Sequence, residues 1–156
     1  MNNNLPYNPA KLTVLAHRHR SAADYFRRSA FITTEEKLME LFHDLATERD
    51  QFAASLEGLV DVDPGNRPPA DQPLAYMSKI WRKMKTALII NERSRIVEQV
   101  RQTEKAALKR TRRLLEMTEA PSQVTFLLQQ QATRLVDSVN RLKTERDHAL
   151  RRVRVA

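Results

Sequence analysis

Apolar residues recur at helical spacing along most of the chain. In four segments, at about 9–32, 34–60, 92–118 and 121–150, leucine, valine, phenylalanine and alanine return every three or four positions. This spacing is typical of a helix that buries one face. Because a lone helix would leave that face in water, the four segments are expected to pack against one another. The pattern predicts an all-α protein built on four long helices.

A shorter apolar stripe precedes the third long segment. It consists of Ile80, Trp81, Met84 and Leu88. At about 100° per residue, its centre lies about 170° around a helix from the stripe that follows Asn91. One straight helix cannot bury both stripes, so we predict a separate short helix at about 75–89 and a break near Asn91.

Prolines divide the chain between the second long segment and the short helix. Residues 61–73 hold four of the seven prolines and one of the two glycines, and proline is excluded from helix interiors. We therefore expect a loop at 61–73 within a single bundle over residues 9–150. Residues 1–8 are predicted to form an N-terminal extension, and residues 151–156 a basic C-terminal tail. A chain of 156 residues suits one domain.

Composition excludes several classes of protein. The chain contains no cysteine, so disulfide frameworks, cysteine zinc sites and thiol nucleophiles are ruled out. No apolar run approaches the roughly 18 residues that span a bilayer, and the first residues lack a signal pattern. We therefore expect a soluble, cytoplasmic protein without a membrane partner.

The net charge of +8 raises the question of a nucleic-acid partner. Residues 34–60 carry seven acidic and two basic side chains, so an acidic helix is expected to pack among basic neighbours and part of the excess is internal complementarity. The remaining basic clusters are Arg110, Arg112, Arg113 and the tail. With few aromatic residues to stack on bases, a solvated face is favoured, and nucleic-acid binding through these basic helices is kept as an alternative.

Two Glu-x-x-His strings match the ligand pattern of di-iron bundles. They are Glu40–His43 in the second segment and Glu145–His148 in the fourth. Helical geometry places Glu40, His43 and His148 roughly 140° to 155° from the centres of their apolar stripes. The sequence therefore predicts surface residues rather than a dinuclear site.

Other polar residues are predicted to face inward. His19, Glu104 and Gln131 fall within apolar stripes and Glu48 on the flank of one, and all four lie at a similar height in a bundle. One interpretation is structural: His19 hydrogen-bonds one glutamate, Arg49 or Arg101 reaches the other, and the polar layer sets helix register. The alternative is a single iron or manganese ion held by His19, Glu48 and Glu104, with Gln131 behind them. The structural interpretation is favoured, with no catalytic residue and no cofactor.

These features resemble the ferritin-like four-helix-bundle proteins of bacteria that are grouped as a domain of unknown function. The resemblance covers residues 12–143. It is carried by Leu41-Phe42, Glu48-Arg49, Phe52 and Leu56, then Trp81, Lys85 and Leu88, then Glu104 with Ala107-Leu108, and the closing glutamine-rich helix.

The resemblance implies a ferritin-like bundle, often near stress-response functions, with no established reaction. This chain departs from the group where Arg101-Gln102-Thr103 precedes Glu104 and where Val139 stands in place of an expected histidine. Both departures weigh against a working metal site. The sequence thus favours a non-enzymatic structural or interaction role, with a protein partner or self-association, and Trp81 with the clustered arginines as the interaction surface.

Overall fold

The computed structural model describes residues 5–60 and 75–155. This part of the chain forms five helices: α1 (Pro9–Ile32), α2 (Glu36–Leu59), α3 (Ala75–Ile90), α4 (Arg93–Leu115) and α5 (Ser122–Val155). The only β-structure among these residues is an isolated bridge between Pro6 and Thr118. The predicted all-α class is therefore confirmed.

Local sequence signals explain where α1 begins and where α3 gives way to α4. The side chain of Asn8 accepts a hydrogen bond from the backbone N–H of Ala10 at 3.0 Å, and Pro9 occupies the first helical position. Both are favoured at a helix N-terminus. Between α3 and α4, Asn91 has a φ of 56°, in the left-handed region that asparagine tolerates better than most residues. The chain turns there, near the predicted break.

The structure differs from two predicted boundaries, and a third falls outside the described residues. The sequence predicts a third long segment that reaches residue 118, but α4 stops at Leu115. Residues 151–155, predicted to form a separate basic tail, continue α5, because residues 122–155 contain no proline or glycine to end the helix. The loop expected at 61–73 lies outside the described residues.

The four long helices form two hairpins that pack together. α1 lies along α2 and α4 lies along α5, while α1 also contacts α4 and α2 also contacts α5. Arg93, at the start of α4, forms an ion pair with Glu35 in the turn between α1 and α2. α4 therefore starts at the end of the molecule where α2 starts, and the two helices run in the same direction. α3 packs on α1 and α4.

The core is apolar above and below the middle of the long helices. Toward the α1–α2 turn, Phe26, Phe42 and Ile96 are fully buried, and Met84 of α3 joins them. At the opposite end, Leu12, Leu56 and Leu128 fill the centre. The polar residues described next lie between these two regions. No helix in the described part of the chain is long and apolar enough to cross a membrane.

Candidate polar centre

The centre of the molecule contains a buried ion pair between α2 and α4. Arg49 and Glu104 are 2% and 0% exposed. The guanidinium of Arg49 donates from Nε and Nη2 to Oε1 of Glu104, at 3.0 and 2.8 Å. A carboxylate this deep requires a cationic or hydrogen-bonding partner, and Arg49 supplies it.

The third nitrogen of the same guanidinium reaches α1. Nη1 of Arg49 lies 2.7 Å from Nδ1 of His19, which is also buried. Since an arginine nitrogen can only donate, Nδ1 must accept, and the neutral ring carries its proton on Nε2. The ring of Phe52 contacts His19 edge-on, with centroids 5.4 Å apart. Arg49 thus links α1, α2 and α4.

This setting keeps His19 neutral. Burial lowers its pKa well below 6.5, and the positive charges of Arg49 and Arg110 lower it further. A protonated imidazole would lose the hydrogen bond from Arg49 and would place two positive charges side by side in a region of low dielectric. The His19 ring therefore serves as an acceptor for the guanidinium.

Glu48 lies on the side of α2 next to Arg49 but outside the hydrogen-bonded group. Its side chain is half-buried. Burial raises its pKa and the charge of Glu104 raises it further, whereas Arg134, Arg49 and Arg141 oppose that shift. Burial, and after it the proximity of the Glu104 carboxylate, makes the Glu48 carboxyl harder to ionise.

Gln131 approaches the centre from α5. Its side chain is 2% exposed, and its Nε2 donates to the backbone oxygen of Phe52 at 3.2 Å. That carbonyl belongs to the interior of α2, so the bond ties α5 to α2 one turn from Arg49.

Three carboxylate or amide oxygen atoms in this region are buried without a hydrogen-bond partner among the described atoms. They are Oε1 of Glu48, Oε2 of Glu104 and Oε1 of Gln131. Buried acceptors of this kind are costly unless water or a cation meets them. A water molecule or cation bound at the polar centre would meet these unpartnered acceptor oxygens.

The structural interpretation of the polar layer is correct in one contact and wrong in another: Arg49 reaches Glu104 as expected, but the partner of His19 differs. His19, Glu104 and Gln131 are buried and Glu48 is half-buried. The expectation that His19 hydrogen-bonds a glutamate is wrong, because Arg49 takes that position. Arg101, the other candidate partner, bonds instead to Glu98 at 3.1 Å.

Arg49 was expected to reach a glutamate, and its additional bond to His19 is the contact that the sequence did not predict. Arg49 lies four positions after Leu45 and three before Phe52, which places it on the apolar stripe of α2. Applying the same helical geometry to arginine as to glutamate and histidine would have placed it in the polar layer.

The two Glu-x-x-His strings lie on the surface. Glu40, His43, Glu145 and His148 are all exposed, as predicted. Within residues 5–60 and 75–155, no group of three or more histidine, aspartate or glutamate side chains is arranged to hold a metal ion. A metal site built on His19, Glu48 and Glu104 stays a prediction.

The residues expected to form an interaction surface fall on two separate parts of the molecule. Trp81 of α3 is half-buried against the core, and its ring meets Tyr25 edge-on at 6.3 Å. Arg112 and Arg113, near the end of α4, are exposed, and Arg110 is half-buried. Trp81 thus belongs to the packing of α3 on α1.

Charge complementarity between α1 and α2 accounts for part of the basic excess. Arg20 bonds Glu57 of α2 at 2.8 Å, and Arg27 bonds Asp50 at 2.6 Å. The acidic second helix therefore packs beside basic side chains, as its composition predicts.

Comparison with protein families, curated proteins and solved structures gives no match to this chain.

Proposed function

We propose that the protein is a ferritin-like four-helix bundle with a structural or protein-interaction role and no redox chemistry at its centre. The observation that carries this proposal is the position of Arg49. Its guanidinium lies between His19 and Glu104 and bonds both, so two of the three side chains that a metal ion would need are already engaged by a cation.

The order and direction of the helices support the ferritin-like assignment. Ferritin-like bundles join two hairpins through one long crossover connection. Here α2 and α4 run in the same direction, and the connection between them, which includes α3, returns the chain to the end where α2 began. The resemblance of the sequence to bacterial ferritin-like proteins points the same way.

Electrostatics argues against redox chemistry at this centre. A divalent ion bound to His19 and Glu104 would sit against the permanent charge of Arg49, which cannot be deprotonated in a protein. The ion would have to displace the guanidinium and leave it buried without a partner, at a cost of several kcal/mol. We therefore propose that Arg49 links the facing helices at the position where catalytic bundles hold a metal ion.

Metal analysis tests this proposal directly. Protein purified without chelators is analysed for iron and manganese, together with Glu104→Ala and the control Glu40→Ala, which removes an exposed carboxylate. We expect little metal in all three. Stoichiometric metal that is lost in Glu104→Ala but retained in Glu40→Ala would overturn the proposal.

A mononuclear iron or manganese site is the second candidate, and one observation favours it. Oε1 of Glu48, Oε2 of Glu104 and Oε1 of Gln131 are buried without partners among the described atoms, and oxygen donors suit manganese. On this alternative, Arg49→Met frees Glu104 and increases manganese binding. If neither the wild type nor Arg49→Met binds iron or manganese, the second candidate fails.

A further inference from the structure

We propose that the groove between α1 and α4, at the end where α4 stops, binds a free single-chain amphiphilic anion such as an alkyl carboxylate. This proposal goes beyond the structural role and does not depend on it. The groove has a volume of about 310 Å³ and is lined by residues of both helices.

The floor of the groove is apolar. Val14 and Leu15 of α1 face Leu114 of α4 across it, and Val14 is 49% exposed. Along the same helix pair, toward the α1–α2 turn, the next cavity is lined by Ile80 of α3. The α3 helix therefore covers the neighbouring part of this surface, and the apolar strip continues beyond it.

Cations surround this floor. Lys11 and Arg18 lie on α1, Arg110 and Arg113 lie on α4, and no acidic residue among residues 5–60 and 75–155 lines the groove. The lysine and arginines are three or seven positions from one another along their helices, so each set shares one helix face. Arg18 and Arg110 already interact with other groups of the protein, and we therefore assign the anionic head group to Lys11 and Arg113.

Size limits the ligand. A volume of about 310 Å³ corresponds to about ten water-sized volumes of roughly 30 Å³ each. This is the low end of small-molecule sites and fits one chain of about ten heavy atoms. In this arrangement the apolar chain packs along Val14 on the floor of the groove, and the carboxylate pairs with Lys11 and Arg113.

Calorimetric titration of the full chain with decanoate, kept below its micelle concentration, tests the site. We expect saturable binding with one decanoate per chain. Loss of either half of the ligand should weaken binding, so 1-decanol and acetate are each expected to bind at least about tenfold more weakly. Equal binding of decanol would overturn the proposal, because the cations would then contribute nothing.

Two adjacent arginines provide a matched pair of variants. Arg112 and Arg113 are both exposed, but only Arg113 lines the groove. Arg113→Gln should weaken decanoate binding about fivefold to tenfold, and Arg112→Gln by less than about twofold. Equal effects would indicate diffuse attraction and overturn the proposal. Val14→Trp, which fills the floor, should abolish binding, and matching unfolding midpoints would show that all variants are folded.

Two further titrations distinguish this ligand from other anions. Vesicles of anionic phospholipid and a single-stranded oligonucleotide are titrated under the same conditions. Decanoate binding that Val14→Trp removes supports the proposal. Binding of vesicles or oligonucleotide with no binding of decanoate overturns it, since the surface would then recognise a membrane or a nucleic acid.

Discussion

Both hydrogen bonds from Nε and Nη2 of Arg49 converge on one oxygen of Glu104, Oε1, at 3.0 and 2.8 Å. This arrangement differs from the parallel two-oxygen fork that arginine and carboxylate often adopt. It leaves Nη1 of Arg49 directed at His19. One guanidinium thus fixes the position of α2 along the bundle axis relative to both α1 and α4.

Removing one partner of this pair should be far more costly than removing both. Glu104→Ala leaves the guanidinium of Arg49 buried without its anion, and we expect a loss of about 3–5 kcal/mol in the free energy of unfolding. The double variant Arg49→Met/Glu104→Leu leaves no buried charge unpaired and should lose less than either Glu104→Ala or Arg49→Met alone. Urea denaturation followed by circular dichroism measures all three.

An exposed ion pair serves as the control for that cycle. Arg20 and Glu57 bond at 2.8 Å, with 44% and 22% of their side-chain surfaces accessible, and such pairs contribute about 0–1 kcal/mol. Glu57→Ala should therefore change the free energy of unfolding by less than about 1 kcal/mol. A similar loss in Glu57→Ala and Glu104→Ala would contradict the special role of the buried pair.

Stability should fall in mild acid because of His19. Its folded-state pKa is depressed well below 6.5 by burial and by Arg49, so the unfolded chain binds more protons than the folded chain once the pH drops below about 6.5. The free energy of unfolding should then decrease by up to about 1.4 kcal/mol per pH unit, until the pH reaches the folded-state pKa. Urea titrations at several pH values between 7.5 and 5 measure the slope.

Two glutamine variants isolate that effect. In His19→Gln, the amide oxygen can still accept from Arg49, but no group titrates, so the slope between pH 6.5 and 5 should become shallower. His43→Gln changes an exposed histidine and should keep the wild-type slope. A wild-type slope in His19→Gln would show that other groups cause the acid sensitivity.

The sequence predicts the helices well because each buried face repeats at helical spacing. Leu12, Phe42, Val97 and Leu128 are buried as their stripes require, and the same geometry turns Glu104 inward. What it cannot predict is which side chains meet across helices. Periodicity describes one helix at a time, whereas the contact of Arg49 with His19 and Glu104 depends on the relative heights of three.

The sequence predicts helix ends less accurately for a similar reason. Met117 is 8% exposed although it follows the end of α4. The N–H of Thr118 bonds the backbone oxygen of Leu5, 2.9 Å away. At Thr118 the chain therefore pairs with a distant segment instead of continuing α4. The sequence of residues 116–118 does not itself predict this pairing.

Backbone strain at Glu119 gives a third prediction. Its φ is 65°, a left-handed conformation that costs most residues about 1–2 kcal/mol and glycine almost nothing. Glu119→Gly should therefore be more stable than Glu119→Ala by about 1 kcal/mol. The order should reverse at Ser55, an exposed position within α2, where glycine is worse than alanine by about 1 kcal/mol. Thermal unfolding compares the four variants, and the same order at both sites would exclude strain as the cause.

The packing of Trp81 leads to a fourth prediction, which concerns the stability of variants at this position. Its ring contacts Tyr25 and the core beneath α3, so Trp81→Asp places a charge on a half-buried apolar site and should reduce the free energy of unfolding by about 2–3 kcal/mol. Trp81→Phe keeps an aromatic ring and should lose less than about 1.5 kcal/mol. Urea denaturation measures both variants.

Sedimentation of the same proteins distinguishes two roles for Trp81. An unchanged oligomeric state with reduced stability in Trp81→Asp supports packing within one chain. A change of oligomeric state without loss of stability would instead assign the residue to a subunit interface.

Because each hairpin pairs helices that are close in the sequence, both can form early and the slow step should be their docking. If α4 slid by one turn, about 5.4 Å, Arg49 would face Val100 or Leu108 in place of Glu104. A misdocked intermediate would then hold a desolvated guanidinium against a hydrocarbon side chain, and water would compete successfully to reopen it. We therefore expect the buried pair to disfavour wrong alignments of α4 that apolar packing alone would accept.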